Sequence, residues 1–166
     1  MSEPSKSSSL SEAFTIRTGP PADAEIIAGH RRAMFSDMGY RDEPWLDEMS
    51  ASFLPWVRRK LESGDYLAWF AVAPDGTIAA GAGLWLMEWM PHRPGGSGRR
   101  GNVLNVYTQP AYRRRGLARR LMTLILECAR DRGIEVMVLN ASDEGRPLYE
   151  SMGFHATNEM RIDLVK

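Results

Sequence analysis

The stretch from Asn102 to Arg130, NVLNVYTQPAYRRRGLARRLMTLILECAR, constrains the fold more than any other part of the chain. It begins as an apolar strand pattern and breaks at Gln109-Pro110. It then passes through the basic turn Arg113-Arg114-Arg115-Gly116-Leu117-Ala118 and becomes a helix with apolar residues at helical spacing. A strand, a basic glycine turn and a helix N-terminus together form an arrangement that binds phosphorylated ligands.

Composition sets the outer bounds. The 166 residues fit one domain with a sizeable core. Lysine plus arginine equals aspartate plus glutamate at 21 each, which argues against a dedicated nucleic-acid binder. The one cysteine, Cys128, permits neither an internal disulfide nor a zinc set, so no metal role is expected. Its place on the apolar side of the helix predicts a small buried hydrophobe. The N-terminus, MSEPSKSSSLSE, has no apolar core of a signal peptide, and no run is long enough to span a membrane. The expected location is the cytoplasm.

Read in order, residues 1–12 look like a disordered tail and residues 13–166 like a single domain. A short strand at Phe14–Arg17 ends at Gly19-Pro20-Pro21, and Asp23 is placed to cap a helix running to about Gly39. His30 lies near that helix's apolar stripe and reads as a core or interface histidine. Asp47–Arg59 reads as a second helix, with Pro55 a kink or the first turn of a new segment. The aromatics Trp45, Phe53 and Trp56 stand among Asp42, Glu43, Asp47 and Glu48. That segment suits the wall of a site for a cationic small molecule, or a solvated helix that packs its aromatics inward.

Tyr66–Val72 and Ile78–Trp89 form a hairpin about the turn Pro74-Asp75-Gly76-Thr77. A glycine- and arginine-rich loop, 91–101, leads into the strand Val103–Thr108. After the long helix come the strand Glu135–Asn140, a helix over Asp143–Met152, and a last strand or strand pair over Phe154–Val165. The expected class is α/β (α+β): a mixed, mostly antiparallel sheet of six to seven strands with helices on both faces, distinct from a doubly wound fold.

Within the opening stretch, small residues at Gly116 and Ala118 allow an anion to approach helix amides that have no intrahelical partner. Arg113, Arg114 and Arg115 add charge. The stripe Leu117, Leu121, Leu124, Ile125 and Cys128 anchors the helix. The strand end Leu104–Thr108 offers backbone groups to an amide-bearing ligand arm. No Gly-Lys-Ser/Thr follows, so this is not a nucleoside-triphosphate loop.

These residues resemble the GNAT superfamily of N-acetyltransferases. Arg113-Arg114-Arg115-Gly116-Leu117-Ala118 matches its acetyl-CoA pattern Gln/Arg-x-x-Gly-x-Gly/Ala, and Leu148-Tyr149-Glu150-Ser151-Met152-Gly153-Phe154 looks like its later Leu-Tyr-x-x-x-Gly-Phe segment. The resemblance covers about residues 13–166 and is strongest over 102–154. It implies a GNAT-like fold and direct transfer of acetyl from acetyl-CoA, without metal, to a primary amine of a small molecule or protein, through a tetrahedral intermediate. The implied cofactor contacts are Val106, Tyr107, Thr108, Arg113, Arg114, Arg115, Gly116, Leu117, Ala118, Arg119 and Asn140. A backbone N–H at Val106 or Tyr107 would meet the acyl oxygen. Tyr149 matches the general acid for the leaving thiolate.

The amine must lose a proton, since an alkylammonium has a pKa of about 10.4. Glu88, which interrupts an apolar strand end, is the leading candidate base, ahead of His92 and Asp143. The competing readings are a non-catalytic acyl-CoA-binding domain and a nucleic-acid module using Arg99, Arg100 and Arg113–Arg115; an intact Tyr149 and the neutral net charge count against them. Neither a nucleic-acid nor a membrane partner is expected, and a homodimer is compatible with the sequence.

Overall fold

The computed structural model describes residues 13–91 and 94–165. The expected tail, residues 1–12, and the candidate base His92 lie outside the described residues. The elements are β1 (Thr15–Thr18), α1 (Ala24–Asp37), α2 (Glu43–Ser63), β2 (Tyr66–Val72), β3 (Ile78–Glu88), β4 (Arg99–Thr108), α3 (Leu117–Asp131), β5 (Met137–Val138) and α4 (Arg146–Ser151). They build one sheet in the order β1-β2-β3-β4-β5. β1 to β4 are antiparallel, and β5 joins parallel to β4 after the α3 crossover.

Local chemistry explains most of these boundaries. Asp42 accepts a hydrogen bond from the Trp45 amide at 3.0 Å, and Gly64 closes α2 with φ +76. With that cap and Pro44 in its first turn, the helix starts earlier than its apolar pattern suggested. Pro55 sits inside one helix of 21 residues and does not divide it. Asp23 does not cap α1; its carboxylate pairs with Arg17 of β1. The β2–β3 turn is as expected, with Thr77 N donating to Asp75 Oδ1 at 2.9 Å.

Two apolar layers cover the sheet. On one face α1 and α2 pack Ile27, Val57 and Leu61 against Tyr66 and Phe70. On the other, α3 packs Leu117, Leu121, Met122 and Ile125 against Leu84, Leu86 and Val103. The α3 stripe is rotated from the expected one: Met122 and Ala129 are buried while Leu124 and Cys128 are half-exposed. Alanine at 129 lets the helix sit close to the sheet, and Arg132 Nε donates to Cys128 Sγ at 3.4 Å.

Among the described residues the sheet has five strands, not six or seven. Two expectations account for the difference. Glu135–Asn140 pairs only at Met137 and Val138, opposite Gly101 and Asn102. Phe154–Val165 contains no strand. Its alternation, Met160-Arg161-Ile162-Asp163-Leu164, suits a strand, but a strand needs a neighbouring edge and a two-residue β5 offers little of one. Met160, Ile162 and Leu164 are consequently exposed.

Candidate functional site

The site begins with an irregularity in β4. Tyr107 pairs with Gly81 and Leu104 with Gly83, so Ala82 alone stands opposite both Asn105 and Val106. This is a β-bulge, which leaves one residue out of the ladder and bends the strand. Asn105 takes φ +55, a left-handed conformation rare for residues other than glycine. Beyond Asn102 the described backbone shows no β4–β5 ladder, so the two strands part before the bulge. The gap exposes backbone groups of β4 on the side where β5 would otherwise continue.

Asn105 is 5% exposed, and both ends of its side chain are engaged. Its Nδ2 donates to the Tyr66 hydroxyl at 2.9 Å, and Arg31 Nη1 donates to its Oδ1 at 3.1 Å. Burial pushes the Tyr66 phenol up and the Arg31 guanidinium down. The sequence reading passed over Arg31, Tyr66 and Asn105. The available signals were an asparagine inside an apolar strand and two glycines, Gly81 and Gly83, on either side of the residue opposite it in β3.

Gln109 closes β4 onto β3, its Nε2 donating to the Ile78 carbonyl at 2.7 Å. The basic turn follows. Arg113 folds back: Nε donates to the Thr108 carbonyl at 3.0 Å and the guanidinium pairs with Asp37 of α1. Arg115 bonds the Ala111 carbonyl at 3.3 Å and lies 5.5 Å from the Tyr112 ring centroid. Arg114 has φ +61 and Gly116 φ +75, so two left-handed residues turn the chain sharply into α3. A β-carbon on Gly116 would meet nothing within 4 Å, so the turn opens onto free space. Leu117 is buried and Ala118 half-buried, which fixes the first turn of the helix while its amides have no intrahelical acceptors. Arg119 reaches across to Ser151 of α4, Nη2 to Oγ at 2.6 Å.

That bond brings the two motif regions together. Tyr149 on α4 is half-buried against the α3-side core, edge-on to Phe154 at 6.1 Å between centroids. Burial raises its phenol above the usual tyrosine value. Asn140 is exposed two residues past β5. Val106, Tyr107 and Thr108 are half-buried along the bulged end of β4.

Glu88 is not brought to this place. It is exposed at the far end of β3 and pairs in register with Arg99, whereas the bulge faces Ala82. Six strand residues separate them, about 20 Å at 3.3 Å per residue. Asp143 is exposed in the turn before α4. On the α1–α2 side, Tyr40 stacks on Trp45 at 5.0 Å, while Phe53 and Trp56 turn inward and Trp56 meets Trp85 edge-on at 5.0 Å. Arg32 pairs with Glu43 and Asp47, which offsets part of the acidic charge there.

A glycine-turned helix start beside a bulged, splayed strand pair suits a long, partly amide-bearing, phosphorylated ligand. No helix among the described residues is long and apolar enough to cross a membrane. Comparison with known proteins agrees with that architecture. The chain is 36% identical to a GCN5-related N-acetyltransferase of Ralstonia eutropha JMP134, with a TM-score of 0.84 over 91% of this chain and 98% of that one. It is 25% identical to a predicted acetyltransferase of Clostridium acetobutylicum solved with acetyl-CoA, with a TM-score of 0.83 over 91% and 96% of the two chains. It is also 32% identical over 96 residues to the glucosamine 6-phosphate N-acetyltransferase of Trypanosoma brucei brucei. That match spans 57% of this chain and 63% of the relative's length. The model of the acetyltransferase (GNAT) family matches residues 30–154, a span that takes in the bulge, the glycine turn and Tyr149, and the chain belongs to that family.

Proposed function

We propose that the chain is an acetyl-CoA-dependent N-acetyltransferase acting on a primary amine. The observation that carries the reading is the left-handed bulge at Asn105 in the gap between β4 and β5, one strand end away from the glycine turn. The free amides at the start of α3 suit the pyrophosphate, with Gly116 leaving room for its approach and Arg114 and Arg115 adding positive charge. Arg113 serves the turn indirectly, by tying it to Asp37. The backbone along Val106–Thr108 suits the amides of the pantetheine arm, with Asn140 on the opposite side.

Transfer forms a bond from the amine nitrogen to the acyl carbon and breaks the bond from that carbon to sulfur. Negative charge develops on the acyl oxygen, and of the Val106 and Tyr107 amides the one at Val106, inside the bulge, is assigned as the preorganised donor. The departing thiolate takes a proton from Tyr149, whose raised pKa keeps it protonated until the sulfur becomes basic. The ammonium of the acceptor loses one proton to solvent before attack, since Glu88 stands a strand's length away, and the second proton, lost from the nitrogen of the tetrahedral intermediate, restores the Tyr149 phenol.

The acceptor is a small primary amine bound between the bulge and the α1–α2 aromatics. The relative that acetylates glucosamine 6-phosphate makes amino sugars the first to test, followed by polyamines, aminoglycosides and peptides. The test is a panel of these amines with acetyl-CoA, scored by release of the CoA thiol. Turnover of at least one amine supports the proposal. Tight acetyl-CoA binding without turnover of any would replace it with an acyl-CoA-binding role.

A further inference from the structure

We propose that Arg31, Asn105 and Tyr66 are positioning residues: together they hold the β4 bulge left-handed and so aim the Val106 amide at the acyl oxygen. The inference rests on the function proposed above.

Left to itself, an L-residue avoids the conformation that Asn105 adopts, φ +55. Asparagine tolerates it better than most, yet strain of this kind persists only where the surroundings over-determine it. Here they do. The Asn105 side chain has one accepting and one donating end, and each meets a partner of the opposite kind, the Arg31 guanidinium at 3.1 Å and the Tyr66 hydroxyl at 2.9 Å. Reversing the amide would set NH2 against a cation, so the network has one orientation.

Each partner is itself fixed. Tyr66 is 1% exposed at the start of β2, and its ring fits because Gly83 has no β-carbon. Arg31 is clamped between Phe35 of α1 and Phe53 of α2, its guanidinium carbon 5.0 and 4.8 Å from their ring centroids. The trio therefore ties the bulge to both helices on that face and, across β3, to β2. Burying a guanidinium, an amide and a phenol is unfavourable, and an apolar trio would fill the same space without desolvation. The polar groups converge on Asn105, the bulge residue immediately before Val106. Folding alone does not require that placement, whereas aiming a donor does.

Isotope-edited infrared spectroscopy of acetyl-CoA labelled with 13C at the carbonyl tests this directly, because a hydrogen bond to the thioester oxygen lowers its stretching frequency. Bound to the wild-type protein, the carbonyl is expected to shift down. The shift is expected to disappear in Asn105→Ala and to return in Asn105→Gly, since glycine adopts φ +55 without support. Tyr66→Phe, which removes one oxygen atom and keeps the ring, is expected to weaken the shift. With whichever amine the panel shows to be turned over, Tyr66→Phe is expected to lower kcat roughly tenfold while the KM for acetyl-CoA stays within about threefold.

The same variants are compared by calorimetry with acetyl-CoA and with S-ethyl-CoA, which has no carbonyl. Only the preference for acetyl-CoA is expected to fall. A wild-type protein that binds neither compound removes the proposed function itself. Binding with a full carbonyl shift retained in both Tyr66→Phe and Arg31→Ala, or an Asn105→Gly variant no better than folded Asn105→Ala, overturns the positioning role and leaves the function standing.

Discussion

Gly83 of β3 lies beneath the Tyr66 ring so closely that a β-carbon at position 83 would overlap the tyrosine hydroxyl. The same hydroxyl accepts the bond from Asn105 Nδ2. Gly83→Ala must therefore displace either the strand or a fully buried ring. Overpacking of this kind costs about 3 kcal/mol. Urea unfolding of the two proteins is expected to differ by about that amount; a difference below about 0.5 kcal/mol would mean that Tyr66 has room to move aside.

His30 faces the same strand at Gly81, where a β-carbon would come within 2.7 Å of its Nδ1. Its ring lies between Phe70 and Tyr107, with centroids at 6.0 and 5.1 Å. Burial lowers its pKa from 6.5 to about 4. Above pH 6.5 the imidazole is neutral in both the folded and the unfolded chain. Between about 6.5 and 4 the unfolded chain takes up a proton that the folded chain refuses, so stability falls as pH falls. The full loss is about 3 kcal/mol by pH 4. Unfolding curves of wild type and His30→Gln, run from pH 7 to pH 4.5, should converge as the pH drops; parallel curves would place His30 in a wetter setting.

Gly116 presents the reverse case from Gly83, an open position with a demanding backbone. At φ +75 an added methyl meets no neighbour, so Gly116→Ala carries only the left-handed strain, about 1 kcal/mol. Acetyl-CoA affinity is expected to drop several-fold more than this stability loss implies, because the methyl stands where the pyrophosphate approaches the helix amides. Gly116→Glu adds charge repulsion and is expected to abolish binding. Calorimetric titration decides it; unaltered affinity in Gly116→Glu would move the phosphate site elsewhere.

The strand, turn and helix over 102–130 were legible in the sequence because the apolar period changes there and glycine marks the change. The fate of 154–165 was not. Alternation in Met160–Leu164 specifies which side chains share a face, but no local pattern specifies the edge they would pair with. The bulge was hidden for a related reason. A single asparagine in an apolar strand carries no record of its φ, and the partners that hold it, Arg31 and Tyr66, lie 74 and 39 residues away. Glu88 was singled out by its chemistry as a carboxylate in an apolar run, while the register that carries it to the end opposite Arg99 depends on the β3–β4 pairing. Likewise helical spacing of apolar residues puts Leu124 and Cys128 on the α3 stripe, whereas Met122 and Ala129 are the residues buried there, the alanine permitting close approach to the sheet.

Glu88 itself provides a prediction. It stands opposite Arg99, six residues along β3 from the bulge, so Glu88→Gln is expected to keep kcat within about threefold across the pH profile. A loss of a hundredfold with the alkaline limb moved would make it the base after all, reaching the amine through a chain of waters.

Tyr149 stands differently. It projects from α4 into the α3-side core, and Arg119 holds that helix to the start of α3 through Ser151. A phenol in this half-buried setting is protonated throughout the working range, as its raised pKa requires. Removing only the oxygen keeps the packing against Phe154 intact. Tyr149→Phe is therefore expected to melt within a few degrees of wild type and to bind acetyl-CoA with nearly unchanged affinity. Its kcat should fall tenfold or more, about 1.4 kcal/mol of transition-state stabilisation. The loss should shrink for an acyl donor whose leaving thiol is more acidic, such as an aryl thioester, because a good leaving group needs no proton. Steady-state kinetics with both donors separates the cases. A uniform loss with both would make Tyr149 a packing residue, and no loss with acetyl-CoA would remove it from the reaction.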